Sequence, residues 1–277
     1  MAAADKRGDL PIGVFDSGVG GLTVLRAIRA ALPSESAIYL GDTARVPYGT
    51  KSRDSVLRYS LNASSQLVRR GIKLLVVACN TASALSLPEI RRHLAPLPVI
   101  GVVEPGARAA VAASAAQRHL VLATEATVGQ RAYTRAIRAL APEAAVEELA
   151  CSLFVALAEE GWTDGAVAAA AAAEYLAPVA ARPRAERPDS VILGCTHFPL
   201  LAEVIRAALG PEPAIVDSAS ATAAAVGELL ERDGLGAADG GGRLELLVTD
   251  GAARFARLGP RFLGEPFAAT DVELVDL

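Results

Sequence analysis

Two cysteines stand in matching sequence contexts and could act together on one substrate. Cys79 lies in KLLVVACNTA and Cys195 in SVILGCTHFP, and each follows an apolar strand-like run and precedes a helical pattern. A thiolate at the start of a helix is stabilised by unpaired backbone N–H groups and by the helix dipole, so we expect each thiol pKa to fall from about 8.5 towards neutrality. Two such groups on opposite faces of a substrate could remove a proton on one side and return one on the other, which inverts a stereocentre.

Packing, metal binding and disulfide redox are the competing roles for these thiols. One cysteine at a strand end is usually a core residue, but two in matching contexts favour a chemical role. The chain has 3 histidines and no C-x-x-C or H-x-x-x-H pair, so no metal site is expected from Cys79, Cys195 and His197. The 3 cysteines do not make a disulfide framework, which predicts a reducing cytoplasm. Cys151 is predicted to be a core residue.

Short apolar runs alternate with longer helical patterns along most of the chain. Strands are predicted at 12–15, 37–40, 73–78, 98–103, 119–124, 145–149, 190–194, 214–217, 243–248 and 272–276. Strands that alternate with helices predict an α/β fold with mainly parallel sheets and helices on both faces. Sites in such folds lie at the carboxyl ends of strands, where both cysteines fall.

The cysteine motifs also suggest two similar units. IGVFDSGVGG and LVLATEATVGQ show a weaker similarity of the same kind, because each is predicted to be a strand followed by a polar turn and a helix. Two such α/β units could face one another across a cleft, each lending a thiol. The Pro-rich joints APLP and GPEP predict a first domain of residues 1–98 plus 211–277 and a second domain of residues 99–210.

A Gly-rich turn, FDSGVGGLT (15–23), exposes backbone N–H groups that suit a carboxylate or phosphate. It is not a Rossmann fingerprint, because Thr23 stands where G-x-G-x-x-G needs glycine, and no G-K-[ST] follows, which excludes a P-loop. Asp16 at the end of this apolar strand is either a helix N-cap or a carboxylate that binds an ammonium group or exchanges protons with a thiol.

Polar residues in two further loops are weaker candidates. Tyr48 and Gly49, in GDTARVPYGTKS, could offer a hydroxyl and a backbone N–H to a ligand. Thr124 and Thr127, in TEATVGQ, lie near a predicted helix start, where capping explains them equally well.

Two residues could assist the second thiol. His197 lies two positions after Cys195 in a predicted first helical turn and could tune that thiol. Glu159 could reach a cleft from its helix, although a solvated face is the default expectation for it.

Composition and charge restrict the partners. The net charge of -4 and the pI near 5.5, without a Lys/Arg block, argue against nucleic acid. MAAADKRGDL has no apolar run typical of a signal peptide and is predicted to be a short disordered tail, and GLGAADGGG (234–242) a flexible loop. The alanine-rich stretch AVAAAAAAEYLAPVAA is predicted to form a helix and not a membrane span.

Five stretches in chain order resemble the cofactor-independent aspartate/glutamate racemase superfamily, and within it the glutamate racemases. They are DSGVGGLTV, PYGTKS, VVACNTAS, GVVEPGA and ILGCTHFPLL, and the resemblance runs from about Ile12 to the C-terminal region. It implies two pseudo-twofold-related α/β domains with the active site in the cleft between them. It also implies a cytoplasmic homodimer that interconverts L- and D-glutamate without pyridoxal phosphate or metal and so supplies peptidoglycan synthesis.

The resemblance also assigns roles to residues. Cys79 and Cys195 match the two acid/base thiols, of which the first removes the α-proton of D-glutamate and the second that of L-glutamate. Asp16 and His197 match their respective helpers, and Glu159 matches a glutamate that assists the second thiol. The positions that match substrate-binding residues are Asp16, Ser17, Tyr48, Gly49, Asn80, Thr81, Thr124, Thr127, Thr196 and His197.

Some positions depart from the family, and two other functions stay open. Ser152 and Ala156 stand where prolines are expected, and TEATVGQ departs at Glu125 and Gln130, but neither change touches a cysteine motif. A racemase of the same superfamily could act on aspartate or a related acid, since one methylene is worth only about 1–3 kcal/mol. A non-catalytic amino-acid-binding protein is the alternative from a different class, and the presence of both thiols speaks against it.

Overall fold

Strands and helices alternate along the chain as the apolar pattern predicts. The computed structural model describes residues 8–237 and 241–277, so parts of the predicted tail and flexible loop, residues 1–7 and 238–240, lie outside the described residues. The strands are β1 (Ile12–Asp16), β2 (Ala37–Gly41), β3 (Leu74–Val77), β4 (Val99–Gly101), β5 (Arg118–Ala123), β6 (Ala145–Ala150), β7 (Ser190–Gly194), β8 (Ala214–Asp217), β9 (Leu244–Val248) and β10 (Val272–Leu274). Each predicted strand is confirmed, with ends that differ by a few residues.

The α-helices follow the strands. They are α1 (Leu22–Ala31), α2 (Arg53–Arg69), α3 (Asn80–Leu94), α4 (Val103–Ala113), α5 (Glu125–Gly129), α6 (Ala132–Leu140), α7 (Leu153–Glu160), α8 (Gly165–Ala180), α9 (Ala202–Leu209), α10 (Ser218–Asp233) and α11 (Ala252–Leu263). The alanine-rich stretch forms α8, as predicted. In the part of the chain that the structure describes, no helix has the length and apolar character needed to cross a membrane.

The strands form two parallel sheets. The first has the order β10-β9-β2-β1-β3-β4 and the second the order β6-β5-β7-β8, and each strand pair is parallel. All residues of β1, β3 and β7 are buried, because helices cover both faces of each sheet. The predicted fold class is confirmed.

The same strand order occurs in both sheets. β2-β1-β3-β4 of the first sheet corresponds to β6-β5-β7-β8 of the second. In each, the order reverses at the first strand of the unit, which leaves a crevice beside that strand at the carboxyl edge of the sheet. The strand register makes Asp16 equivalent to Ala123, so Ser17 occupies the position of Thr124, and Cys79 occupies that of Cys195.

The chain passes between the two sheets one strand later than the proline-rich joints predict. β4, at 99–101, pairs with β3 in the first sheet, and β8, at 214–217, pairs with β7 in the second. APLP and GPEP follow helices α3 and α9 and lead into the next strand of the same sheet, because proline ends a helix as readily as it ends a domain. The division into 1–98 plus 211–277 and 99–210 stays a prediction. It assigns β4 to the second domain and β8 to the first, whereas each of these strands pairs with a strand of the other domain.

Candidate active site

Both predicted thiols line one cavity of about 580 Å³, at the carboxyl ends of the strands of both sheets. The predicted site residues on its wall are Ser17, Tyr48, Gly49, Cys79, Asn80, Thr81, Thr124, Glu159, Cys195, Thr196 and His197. Asp16 and Thr127 are buried directly behind this wall and hydrogen-bond to residues that line it. The structure therefore brings all the predicted site residues together at one place.

Cys79 follows β3 and caps helix α3, so the helix start predicted there is confirmed. Its Sγ accepts a hydrogen bond from the backbone N–H of Ala82 at 3.4 Å. The predicted fall in its pKa is wrong, because burial, together with the Asp16 carboxylate, raises the pKa of the Cys79 thiol to about 12. The helix N–H and the Ser17 hydroxyl, 3.6 Å from Sγ, oppose this rise only in part. Cys79 is therefore a neutral thiol at pH 7 and a proton donor.

Asp16 ends β1 with its carboxylate only partly satisfied. The backbone N–H of Gly18 donates to Oδ2 at 2.9 Å, whereas Oδ1 is buried without a hydrogen-bond partner among the described residues. Gly21 occupies the N-cap of α1, so the capping alternative for Asp16 is wrong. Burial raises the pKa of Asp16, and the nearby His197 opposes the rise. An unpaired buried carboxylate oxygen can accept a proton or an ammonium N–H from a ligand.

Cys195 follows β7, and its thiol faces a buried imidazole. Its Sγ lies 3.9 Å from His197 Nδ1, and His197 Nε2 lies 3.2 Å from Glu159 Oε1. Glu159 does not lie on the solvated face that was the default expectation, because helix α7 borders the cavity. The α-helix expected right after Cys195 is also absent at that point: a 3₁₀ turn at Phe198–Leu201 comes first, so this thiol does not cap an α-helix.

The two thiols have opposite electrostatic surroundings. Burial lowers the pKa of His197, but its hydrogen bonds with Cys195 and Glu159 outweigh burial and raise the pKa to about 10. The hydrogen bond from His197 holds the pKa of Glu159 below its usual value. At pH 7 an imidazolium therefore stands beside the Cys195 sulfur. The charged group with the largest effect on the pKa of Cys79 is instead the Asp16 carboxylate.

Hydroxyl and amide groups line the wall between the thiols. The Oγ1 atoms of Thr81, Thr124 and Thr127 lie 3.0 to 3.4 Å from one another. Thr124 stands at the N-cap of α5 but makes no capping hydrogen bond, so capping does not explain it. The Tyr133 hydroxyl donates to Asn80 Oδ1 at 2.7 Å, and Asn80 Nδ2 is buried without a partner in the described residues. A buried unpaired N–H is a donor ready for a ligand oxygen.

Tyr48 and Gly49 line the cavity from the loop after β2. The Tyr48 hydroxyl donates its proton to Asp42 Oδ2 at 2.6 Å, so it cannot donate the same proton to a ligand while this hydrogen bond persists. A Cβ at Gly49 would lie 2.9 Å from the Cβ of Thr124, at the end of β5. Glycine at this position therefore lets the loop of the first unit approach the second unit.

The Gly-rich turn after β1 packs against the second cysteine motif. A Cβ at Gly20 would lie 2.5 Å from His197 Nδ1 and still closer to Thr196 Oγ1. The Thr23 hydroxyl donates to the backbone carbonyl of Thr196 at 3.0 Å. The glycines of this turn therefore permit a direct contact between the two units.

One wall of the cavity was missed by the sequence analysis. Arg254, Phe255 and Leu258 of helix α11 line the cavity, and the Phe262 ring lies edge-on to His197 with ring centroids 5.2 Å apart. The spacing of these apolar residues is typical of an amphipathic helix. The pattern does not indicate that this face borders a cavity, because the other wall comes from a distant part of the chain.

Cys151 is buried in the core, as predicted, and the three cysteines are free thiols. Within residues 8–237 and 241–277, no group of three His, Cys, Asp or Glu side chains could hold a metal ion.

The chain is similar over nearly its whole length to known racemases. The sequence model of the Asp/Glu/hydantoin racemase family matches residues 12–226. A glutamate racemase of Geobacter metallireducens is 52% identical over 255 residues, which cover 91% of this chain and 92% of the relative. The crystal structure of a glutamate racemase isoform from Bacillus anthracis matches with a TM-score of 0.91 and 35% identity, over 97% of this chain and 98% of that one. A glutamate racemase from Francisella tularensis, solved in complex with D-glutamate, matches with a TM-score of 0.88 and 32% identity over the same shares.

The contact at Gly20 yields a stability prediction. We expect Gly20→Ala to lower the free energy of unfolding by about 1–3 kcal/mol, because the added methyl overlaps Thr196 and His197. Gly227→Ala in helix α10 is the matched control, since a Cβ there meets only Leu32 at 3.6 Å and alanine favours a helix. Urea unfolding of both variants checks this, and equal stability of the two would contradict the proposed contact between the units.

The raised pKa of His197 predicts a pH-dependent stability. The folded protein holds this proton more tightly than the unfolded chain, so the stabilisation is complete below pH 6.5 and is lost as the pH rises to about 10. The difference in unfolding free energy between wild type and His197→Gln should therefore shrink from pH 6 to pH 10. His119→Gln is the control, because burial lowers the pKa of His119 and its contribution should stay constant above pH 7. A constant difference for His197→Gln would refute the assignment.

Proposed function

The chain belongs to the Asp/Glu/hydantoin racemase family and is an amino-acid racemase of the glutamate racemase type, and we propose that it interconverts L- and D-glutamate by passing the α-proton between Cys79 and Cys195. One observation carries the proposal: both thiols line the same cavity, each at the end of the corresponding strand of its sheet. An acid and a base that approach one carbon from two sheets can act on opposite faces of it. No cofactor enters this reaction scheme.

The L-to-D direction follows from the charge distribution of the site. In this direction Cys195 acts as the base: its deprotonated form, beside the His197 imidazolium, takes the α-proton of L-glutamate and becomes a thiol. The neutral thiol of Cys79 donates its own proton to the opposite face of the carbanion, which gives D-glutamate and leaves a thiolate at Cys79. Glu159 holds the imidazolium, and Asp16 accepts or returns a proton near Cys79. Burial keeps the pKa of Cys79 high, so this thiol holds the proton that the L-to-D direction requires it to donate.

The reverse direction uses the other protonation form of the same site. After one turnover Cys79 carries the negative charge and Cys195 the proton, so D-glutamate meets its base at Cys79. Burial makes this form costly, and the ammonium group of the substrate offsets the cost by pairing with Asp16. Ser17, whose Oγ is 3.6 Å from the Cys79 sulfur, stabilises the thiolate by a hydrogen bond.

The polar wall binds the rest of the substrate. Asn80 Nδ2 is a buried donor without a partner among the described residues, and we assign it to a substrate carboxylate. The hydroxyls of Thr81, Thr124 and Thr196, with the backbone N–H of Gly49, complete the binding groups on the cavity wall, and Thr127 supports them from behind. Each carboxylate of glutamate thus meets donors from both units, which favours closure around the substrate and exclusion of water.

The wider biological role is also a proposal. D-glutamate made by this reaction would supply peptidoglycan synthesis in the cytoplasm, and the chain would act as a homodimer. Direct contact with nucleic acid is not expected from a chain with a net charge of -4.

Deuterium exchange tests the reaction. Purified protein with L-glutamate in deuterated water should abolish the optical rotation and place deuterium at the α-carbon, because the donating thiol has exchanged with solvent. Calorimetric binding of glutamate with unchanged rotation would instead identify a non-catalytic binding protein.

Removal of each thiol tests the two-cysteine mechanism. Cys79→Ala and Cys195→Ala should each reduce racemisation by about 100- to 10,000-fold, since one group cannot serve both faces. Cys151→Ala is the matched control, because this thiol lies in the core and is expected to leave turnover nearly unchanged. Full racemisation by either single-thiol variant would eliminate the mechanism.

Substrate choice between glutamate and aspartate rests on the reach of the side chain. We expect kcat/KM for L-glutamate to exceed that for L-aspartate by about 10- to 200-fold, the discrimination that one methylene supplies. Polarimetry with each amino acid under identical conditions measures the ratio. A ratio in favour of aspartate would assign the chain the alternative substrate within the superfamily.

A further inference from the structure

Arg254 connects the second thiol to the opposite wall of the cavity. Its Nη2 donates to Glu159 Oε2 at 2.7 Å, and Glu159 Oε1 lies 3.2 Å from His197 Nε2. His197 Nδ1 in turn lies 3.9 Å from the Cys195 sulfur. Four side chains thus form a continuous line of polar contacts that ends at a reacting atom.

The members of this line come from both units. Cys195, His197 and Glu159 belong to the unit of the second sheet, whereas Arg254 lies in the first turn of helix α11, between strands β9 and β10 of the first sheet. A second arginine of the same helix, Arg261, donates to the backbone carbonyl of Glu159 at 3.4 Å. Helix α11 therefore contacts Glu159 through both its carboxylate and its backbone.

Stability alone does not explain the pair between Arg254 and Glu159. The side chain of Arg254 is 59% exposed and that of Glu159 19% exposed. An ion pair with one partner this exposed contributes little to folding, because water screens the arginine and ordering its long side chain costs entropy. The pair does, however, fix the geometry of Glu159. Each carboxylate oxygen has its own partner, Arg254 or His197, which fixes the plane of the carboxylate and therefore the orientation of the His197 ring.

We propose that Arg254 is a positioning residue for proton transfer at Cys195. It holds Glu159 from the first unit, so that the imidazole presents Nδ1 to the Cys195 sulfur only when the two walls are together. The inference rests on the proposed two-thiol reaction and extends it: the acid/base group of the second unit is completed by a residue of the first. Within the described residues Cys79 has no such link, because its hydrogen bonds with Ser17 and Ala82 lie within its own unit.

The effect should depend on which thiol moves the substrate proton. L- and D-glutamate have equal free energies in solution, so kcat/KM has to change by the same factor in both directions. The primary isotope effects need not change together, because each labelled enantiomer loses its deuteron to a different thiol. Slower transfer at Cys195 makes that step more rate-limiting for L-glutamate and makes the Cys79 step less rate-limiting for D-glutamate.

The test compares Arg254→Met with wild type in the full-length chain. We expect kcat/KM to fall about tenfold in both directions, within the range that loss of orientation produces. The isotope effect on kcat/KM should rise for α-deuterated L-glutamate and fall for α-deuterated D-glutamate. Arg254→Lys should restore part of the loss, and Arg254→Met added to Glu159→Gln should cause no further loss. Arg257→Met, an exposed arginine one turn along α11, is the control expected to behave as wild type.

The outcomes separate this inference from the reaction on which it rests. A loss in Arg254→Met with unchanged isotope effects, or with effects that shift equally for both enantiomers, would overturn the positioning role and leave the two-thiol reaction standing. Wild type that racemises glutamate without a primary isotope effect or solvent deuterium would overturn the reaction, and the positioning role with it. Isotope effects that shift in opposite directions for the two enantiomers in Arg254→Met, and not in Arg257→Met, support both the two-thiol reaction and the positioning role.

Discussion

The contact between the DSGVGG turn and the second cysteine motif is the constraint on which the site depends. Gly20 lies against Thr196 and His197 with no room for a side chain, and the Thr23 hydroxyl bonds to the Thr196 backbone. Parallel sheets present functional groups only at one edge, so two thiols can meet across one cavity only if two such edges are pressed together. Glycine at the contact makes this close approach possible, and the cavity is what remains between the strand ends.

The same close approach creates the electrostatic difference between the thiols. Burial removes the Cys79 sulfur from water, which penalises its charged form, and the neighbouring Asp16 carboxylate adds to that penalty. The charged group beside Cys195 is instead the buried His197 imidazolium, which Glu159 holds. Two copies of one motif therefore have different electrostatic surroundings, as the proposed division into one acid and one base requires. The two thiols are chemically the same, so the difference lies in the charged residues beside them.

The sequence predicts the parts of the structure that local rules control. The strands and the placement of Cys79 at a helix start could be predicted, because apolar runs and breaks in them report directly on burial. The pKa of Cys79 could not, since the local effect of the helix start is smaller than the burial that distant segments impose. The face of Glu159 and the wall formed by α11 were missed for the same reason. The proline-rich joints do lie at helix ends. They do not show whether the next strand joins the same sheet, because that depends on strands distant in the sequence with which it pairs.

A racemase faces a requirement that most enzymes do not, since its substrate and product have equal free energies. The unequal surroundings of the two thiols therefore cannot favour one enantiomer at equilibrium; they can only set which protonation form of the free site predominates. In the proposed reaction each L-to-D turnover leaves the charge on Cys79 and the proton on Cys195, so the protons have to be redistributed before the next L-glutamate can react. Asp16 is buried, has one oxygen unpaired among the described residues and interacts electrostatically with both Cys79 and His197, so in this scheme it carries a proton in that step. The carboxylate that raises the pKa of one thiol is thereby also a group through which the site can be reset.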